Sequence, residues 1–223
     1  MTVGRAQVKT ISGKTAIYRP ASYLDRLNLG DVFAAAKGPL RSERVLDGGR
    51  PVPPTVEVEL GSGDGSFLVE WAARHPERNF IGVERLLGRL RKVDRKIARR
   101  QLDNVRLIRL EASYFVEYLM PTQSVAAFHI YFPDPWPKRK QRKNRLINAR
   151  FVDALGAALA PGGVVFLRTD DRDYFEQMRS VFGAANGFRE VETPSELRSV
   201  LTDFERGFQA RGVETLSAAF EGR

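Results

Sequence analysis

The chain has 223 residues, no cysteine, a formal net charge of +9 and a pI near 10.1. Disulfides, thiolate metal sites and cysteine nucleophiles are therefore excluded, and a reducing cytoplasmic setting is expected. The positive excess points to a polyanionic partner, with RNA, DNA and anionic membrane all open. At 43% hydrophobic the chain can bury a full core. No apolar run reaches the length of a membrane span, and the stretch MTVGRAQVKTISGK lacks the apolar core of a signal peptide.

In chain order, a short helix is expected from Asp31 to Lys37 and a loop over Gly48–Pro54. A strand over Thr55–Leu60 runs into Gly61-Ser62-Gly63-Asp64-Gly65, and Ser66–Arg74 has helical spacing, with Phe67, Leu68, Trp71 and Ala72 on one face. Asn79–Val83 is an apolar strand ending at Glu84. Leu86, Leu87, Leu90, Val93 and Ile97 mark one face of a strongly basic helix. Strands follow at Val105–Leu110, Val125–Phe132 and Val164–Leu167. Helices lie between them at Ser113–Leu119 and Phe151–Leu159, the latter stopping at Pro161-Gly162-Gly163. Tyr174–Phe182 is a helix, and Phe188–Glu192 and Glu214–Phe220 are a late strand pair suited to an antiparallel sheet edge. Strands alternating with helices imply an α/β fold, a mainly parallel sheet with helices on both faces.

In such sheets ligands bind at the carboxyl ends of the strands. Those ends carry Glu59, Glu84, Glu111, Asp134 and Asp170, an acid at every one. In ELGSGDGSF, Gly61 and Gly63 let the backbone turn tightly against a ligand, although the spacing is G-x-G-x-G rather than the dinucleotide G-x-G-x-x-G. Glu84, ending the next strand, stands where an acid accepts from ribose hydroxyls. Loop and acid together favour an adenosine ligand but leave both NAD and S-adenosylmethionine open. Glu59 leans toward the second: an acid before the loop repels a pyrophosphate and attracts an ammonium group.

The stretch IYFPDPWPKRKQRKNRL places Asp134 between Pro133 and Pro135, with Trp136 and Pro137 extending the rigidity. A carboxylate held beside tryptophan calls for a cationic partner, which a ligand could supply. Methyl transfer from a sulfonium to an aromatic ring nitrogen fits. It needs positioning and electrostatics and leaves a cationic product, so no histidine or cysteine base is required. His75 and His129 read as structural. Six basic residues in the eight positions Lys138–Arg145 follow the cage and read as phosphate contacts; Arg85–Arg100 is a second basic stretch, equally compatible with a solvated helix face.

The segments ELGSGDG, GVE at Glu84, YFPDPWPK, RTD at Asp170 with Tyr174 four residues on, and TDFE at Thr202–Glu205 resemble, in order, the bacterial tRNA (guanine-N7)-methyltransferases. The resemblance spans roughly residues 55–220 and implies a Rossmann-like class I methyltransferase with a mainly parallel seven-stranded sheet. Residues 1–54 would be an amino-terminal extension and 55–223 the methyltransferase domain. It also implies S-adenosylmethionine as donor, no metal, guanosine 46 of the tRNA variable loop as target, a cytoplasmic location and a monomer or homodimer. Carried over by position, Glu59, Gly61, Gly63, Glu84, Glu111, Ala112 and Asp134 line the donor side, with Asp134 also catalytic. Lys138, Asp170, Thr202, Asp203, Phe204 and Glu205 contact the substrate. Three positions depart: Glu111 stands where the family often has Asp or Asn, Asp203 replaces a usual lysine, and Gln141 a frequent histidine.

Rival readings are an amino-group methyltransferase, a non-catalytic RNA-binding module and an NAD-dependent oxidoreductase. The first resembles a D/N-P-P-aromatic motif, and Asp134-Pro135-Trp136 lacks its second adjacent proline. The full set of strand-end acids argues against the second. Loop spacing and Glu59 disfavour the third.

Overall fold

A computed structural model describes residues 15–34 and 56–223. The expected loop at Gly48–Pro54, the end of the expected Asp31–Lys37 helix and the amino-terminal MTVGRAQVKTISGK lie outside them. In chain order the first elements are β1 (Ile17–Tyr18), α1 (Leu29–Phe33), β2 (Val56–Leu60), α2 (Ser66–Arg74), β3 (Phe80–Val83), α3 (Leu87–Arg100) and β4 (Val105–Ile108). Then come α4 (Ala112–Tyr114), which runs into a π-helical turn at Phe115–Leu119, β5 (Val125–Tyr131), a 3-10 segment at Arg139–Asn144, α5 (Ala149–Ala158) and β6 (Leu159–Thr169). The chain finishes with α6 (Arg172–Ala184), β7 (Phe188–Val191), α7 (Ser195–Ser199), α8 (Asp203–Gln209) and β8 (Leu216–Gly222).

The sheet order is β1-β4-β3-β2-β5-β6-β8-β7. Strands β1 to β6 pair in parallel, and β8 is antiparallel to both β6 and β7. All seven expected strands are present. The eighth, β1, pairs Ile17 with Leu107 and Tyr18 with Ile108 at the far edge. Two residues carry too little periodicity to be legible as a strand. Leu27, Leu29, Val32 and Phe33, from the same amino-terminal region, join the main core.

Side-chain periodicity accounts for the layers. In α2, Phe67, Leu68, Trp71 and Ala72 are buried. In α3, Leu90, Val93 and Ile97 are, each stabilising the fold by about 1.5–3 kcal/mol. These helices and α7 cover one face of the sheet. Helices α1, α5 and α6 cover the other, through Phe33, Phe151, Leu155, Tyr174 and Phe182. The start of α5 is fixed by Asn148, whose side chain accepts from Phe151 N–H, and that of α6 by Asp171 accepting from Tyr174 N–H.

Several boundaries differ from expectation by one to three residues, and that between α5 and β6 differs most, with β6 starting five residues early. The α5 helix stops at Ala158, and Leu159 already pairs with Val125. Register then slips, so that Ala127 faces Val164, and Pro161-Gly162-Gly163 bulge within a single strand. Gly162, at φ 73°, supplies the left-handed turn the bulge needs.

The strand order reverses at β2. Helices following β2 and β3 lie on one face, and α5, following β5, lies on the other. The carboxyl ends of β2 and β5 therefore form the switch point where such sheets take their ligands.

Candidate active site

The loop after β2 is built on three left-handed glycines, Gly61, Gly63 and Gly65, at φ 79°, 54° and 75°. Gly65 is required twice over, since a Cβ there would lie 2.5 Å from Val93 of α3. Glu84, buried at the end of β3, braces the loop: its carboxylate accepts from Gly63 N–H at 3.1 Å and from Leu86 N–H at 2.7 Å. A carboxylate has about four lone-pair sites, so acceptor capacity remains for a ligand.

Beneath this loop lies Glu59. It is 4% exposed, and its Oε2 has no hydrogen-bond partner among the described residues. Burial pushes its carboxyl up to about 8; the Ser62 hydroxyl and Arg168 draw it down, and Asp64 and Glu84 add to the rise. A buried, unpartnered carboxyl oxygen is costly unless a ligand completes it. The cleft above it is lined by Glu59, Gly61, Gly63, Phe132, Thr202 and Phe204.

Glu59 belongs to a polar layer inside the sheet on the α2–α3 side. Glu57 accepts from Trp71 Nε1–H and from Arg78, both at 2.8 Å, and pairs with His129 Nε2 at 2.9 Å. Burial alone would raise the Glu57 carboxyl, but His129, Trp71 and Arg78 more than offset it and hold it at about 2. Burial keeps His129 below the usual histidine range. A neutral ring donating to Glu57 leaves Nδ1 to accept from the Tyr131 hydroxyl at 2.9 Å. His129 is thus a satisfied core histidine, as its apolar strand implies.

Next in this layer, on β6, is Arg168, which is 2% exposed. It donates to the carbonyls of Val200 and Leu197 and to Glu205, and stacks over Tyr131 at 4.3 Å. Glu205 in turn accepts from Thr202 N–H, and Thr202 Oγ accepts from Glu205 N–H, forming a capping box. Thr202 and Glu205 are therefore buried anchors of α8, while Asp203 and Phe204 point outward. Phe204 and Phe208 pack on Phe132 at 5.9 and 5.4 Å, which seats α8 on the first residue of the proline-rich segment.

That segment is a bent frame. Phe132 and Trp136, each directly before a proline, hold φ of 52° and 42°, unusual for large side chains and costing about 1–3 kcal/mol each. The frame is pinned from both ends. Phe132 N–H donates to Arg168 O at 2.8 Å, and Arg145 Nε–H donates to Pro135 O at 2.7 Å. Arg145, 2% exposed, also bonds Gln177 and Asp173 and lies over the Tyr174 ring at 4.7 Å. Asp134 is exposed, and no described residue bonds its carboxylate. Among the described residues no cationic side chain pairs with it.

The remaining expected positions fall around this frame. Glu111 caps α4 by accepting from Tyr114 N–H, with Ala112 the first residue of that helix. Lys138 and Asp170 are exposed. The strip divides: Lys138, Arg139, Lys140 and Lys143 are free among the described residues, Arg142 pairs with Asp173 at 3.0 Å, and Arg145 is buried structure rather than a phosphate contact. Arg168 and Glu57 had no role assigned from the sequence. The signal available was a charged residue in a central, doubly covered strand. Among the described residues, no group of three or more acidic or histidine side chains could hold a metal ion.

This strand order, the glycine loop and the acid beneath it define a class I S-adenosylmethionine-dependent methyltransferase. Solved structures agree on the fold. The 16S rRNA methyltransferase KamB superposes with a TM-score of 0.56 at 17% identity, covering 86% of this chain and 92% of that one. TrmN from Thermus thermophilus gives 0.55 at 17%, covering 77% of this chain and 45% of that one. A family model described as a methyltransferase matches residues 54–218. Sequence relatives sharpen the assignment. The tRNA (guanine-N(7)-)-methyltransferase of Hydrogenovibrio crunogenus is 35% identical over 173 residues, 75% of this chain and 72% of its own. That of Thermotoga maritima is 35% identical over 161 residues, 72% of this chain and 51% of its own. The enzyme of that name in Thiobacillus denitrificans is 41% identical over 135 residues, 60% of this chain and 59% of its own. The chain belongs to the tRNA (guanine-N7)-methyltransferase family.

Proposed function

We propose that this protein transfers the methyl group of S-adenosylmethionine to N7 of guanosine 46 in the tRNA variable loop. The observation that carries the donor side is the buried Glu59 carboxyl with its unpartnered oxygen, under a glycine loop at the switch point. An amino-acid ammonium group satisfies that oxygen; a pyrophosphate does not. Glu84 would accept from the ribose hydroxyls, with Glu111 and Ala112 beside the base. The donor supplies an activated methyl on a sulfonium.

Asp134 stands two residues after Phe132 of the cleft lining, in a frame fixed through Arg145 and Arg168. Its carboxylate faces the charge that leaves the sulfur and arrives on guanine. Guanine N7 has an in-plane lone pair and needs no deprotonation. Electrostatic stabilisation by a preorganised acid is therefore the main service this chain renders to the chemical step. Lys138, Asp170, Asp203 and Phe204 line the substrate approach, and Lys138 to Lys143 supply phosphate contacts. Thr202 and Glu205 act on the substrate side by holding α8 in place. An acid at position 203 favours contact with a base edge over contact with phosphate. Cysteine-free composition and a tRNA substrate fit a cytoplasmic enzyme; among the described residues no helix is long and apolar enough to cross a membrane.

Incubating unmodified tRNA with protein and donor, then analysing the nucleosides by mass, should yield 7-methylguanosine, mapped to position 46. The Asp134→Asn variant, nearly isosteric, should lose about a hundredfold to a thousandfold in single-turnover rate at saturating substrates. Methylation of an amino group would overturn the reading, and a near-native Asp134→Asn rate would remove Asp134 from the chemical step.

A further inference from the structure

Helix α3 is a cationic half-cylinder. Leu90, Val93 and Ile97 are buried. The rest of its surface carries seven arginine and lysine side chains between Arg89 and Arg100, with Arg91, Lys92, Arg95 and Arg99 opposite the buried seam. Two are neutralised: Lys96 by Asp64, and Arg100 by Glu70. The helix's one acid, Asp94, is consumed elsewhere, accepting from the Thr15 hydroxyl at 2.9 Å and from Ala16 N–H at 2.7 Å. Among the described residues Arg89, Arg91, Lys92, Arg95 and Arg99 have no acidic partner. Arg91, Arg95 and Arg99 follow one another at i, i+4 and i+8, which sets like charges side by side and weakens the helix. Complementing the helix dipole accounts for cations in the last turn only, so it explains Arg99 and Arg100 but not the other members.

A groove adjoins this surface. It is lined by Ser66, Glu70 and Arg74 from one face of α2, by Lys96 and Arg99 from α3, and by Arg206 from α8. It shares Asp64, Ser66 and Asp203 with the donor cleft, so the two are adjacent. Its acids are Asp64, Glu70 and Asp203, and each has a basic neighbour, Lys96, Arg100 and Arg206 respectively. The strip beyond the proline frame is tied to α6 through Arg145 and Asp173, on the other face of the sheet. The catalytic edge is therefore flanked by a basic surface on each side.

We infer that the outward face of α3 is a second RNA-binding surface, gripping the phosphodiester backbone of the tRNA at a segment other than the one held by the strip. This rests on the tRNA reading of the preceding section. A folded polyanion wider than the catalytic edge spans both faces, and uncompensated arginines along a helix match a run of phosphates. Such contacts add affinity and register and carry no base specificity.

The test neutralises the row without disturbing the helix. Arg91→Gln, Arg95→Gln and Arg99→Gln are combined, glutamine being as good a helix former as arginine. The slope of log affinity for tRNA against log salt should become shallower by about 0.7–0.9 for each phosphate that is no longer neutralised, or about two to three for the triple variant. Donor affinity should be unchanged, and the loss should add to that of a Lys140→Gln, Lys143→Gln variant. As the chain has no cysteine, Arg95→Cys gives a unique attachment point for a photo-crosslinker. It should capture tRNA as Lys140→Cys does, at different nucleotides, while Ser180→Cys on exposed α6 should not. Wild-type slope and affinity in the triple variant, or no crosslink from position 95, overturn the inference. Both readouts are of binding, so they stand apart from the nucleoside analysis: missing 7-methylguanosine sinks the enzymatic reading, an unaltered slope only this one.

Discussion

Replacing Glu59 with glutamine tests whether the buried carboxyl is the anchor for the donor's ammonium. Burial pushes this carboxyl up to about 8, so at pH 7 about one free molecule in ten is ionised. Docking an ammonium on it then releases a proton, at a cost of about 1.4 kcal/mol at pH 7. Affinity should therefore rise about tenfold between pH 6 and pH 7. It should level off near pH 8, where an α-amino group of ordinary pKa, about 7.7–8.0, starts to lose its own charge. In Glu59→Gln that rise should vanish, and at pH 8 binding should be weaker by about 1.5–3 kcal/mol, the worth of a hydrogen bond to a charged group. The sign for stability follows from the same shift. A carboxyl whose folded pKa is raised stabilises the donor-free fold in acid, and that contribution fades as pH rises from about 4.5 through about 8. The assay is calorimetric titration with S-adenosylhomocysteine, which keeps the amino-acid end and cannot transfer methyl, in two buffers of different ionisation enthalpy. Nearly one proton should be released per ligand at pH 7. A wild-type affinity that stays flat from pH 6 to pH 7, with no net proton release, refutes the reasoning.

Three further outcomes are expected. Glu84→Ala removes both the proposed ribose acceptor and the brace on Gly63 N–H, and should weaken donor binding by about 1.5–3 kcal/mol in a folded protein; unchanged affinity takes Glu84 out of the site. Glu205→Ala leaves Arg168 buried without its counter-charge and should cost about 3–5 kcal/mol in urea unfolding; a loss under about 1 kcal/mol would mean the pair does not anchor α8. Converting Lys140 and Lys143 to Glu should flatten the salt dependence of tRNA binding at near-native stability, whereas Arg145→Ala should destabilise the proline frame itself, read as a lower melting temperature. Equal melting temperatures for the two variants would deny Arg145 its structural role.

Period and punctuation were enough to make the layered fold legible. Helix α2 falls on the expected residues, and the strands before and after it fall within one residue of them, because central strands and one-sided helices must bury whatever is apolar. The sequence by itself therefore determined the sheet and the kinship carried by ELGSGDG and YFPDPWPK. Only the tertiary structure could sort which charges work inward and which outward. The strand VEVEL carries two acids and helices cover both its faces, so Glu57 must be neutralised by His129 and Arg78, while Glu59 is left with an oxygen that no described residue bonds. Arg145 ends a run that reads as phosphate contacts, and it is buried because the chain turns back under Pro135 and meets Asp173 and Tyr174, 28 and 29 residues later. Thr202 and Glu205 look like substrate contacts and prove to be the fastening of α8 to Arg168. Asp134 faces solvent because two left-handed residues ahead of prolines redirect the backbone. Glu57, Arg145, Thr202 and Glu205 are buried against partners that arrive from distant segments, and local sequence carries no record of those partners.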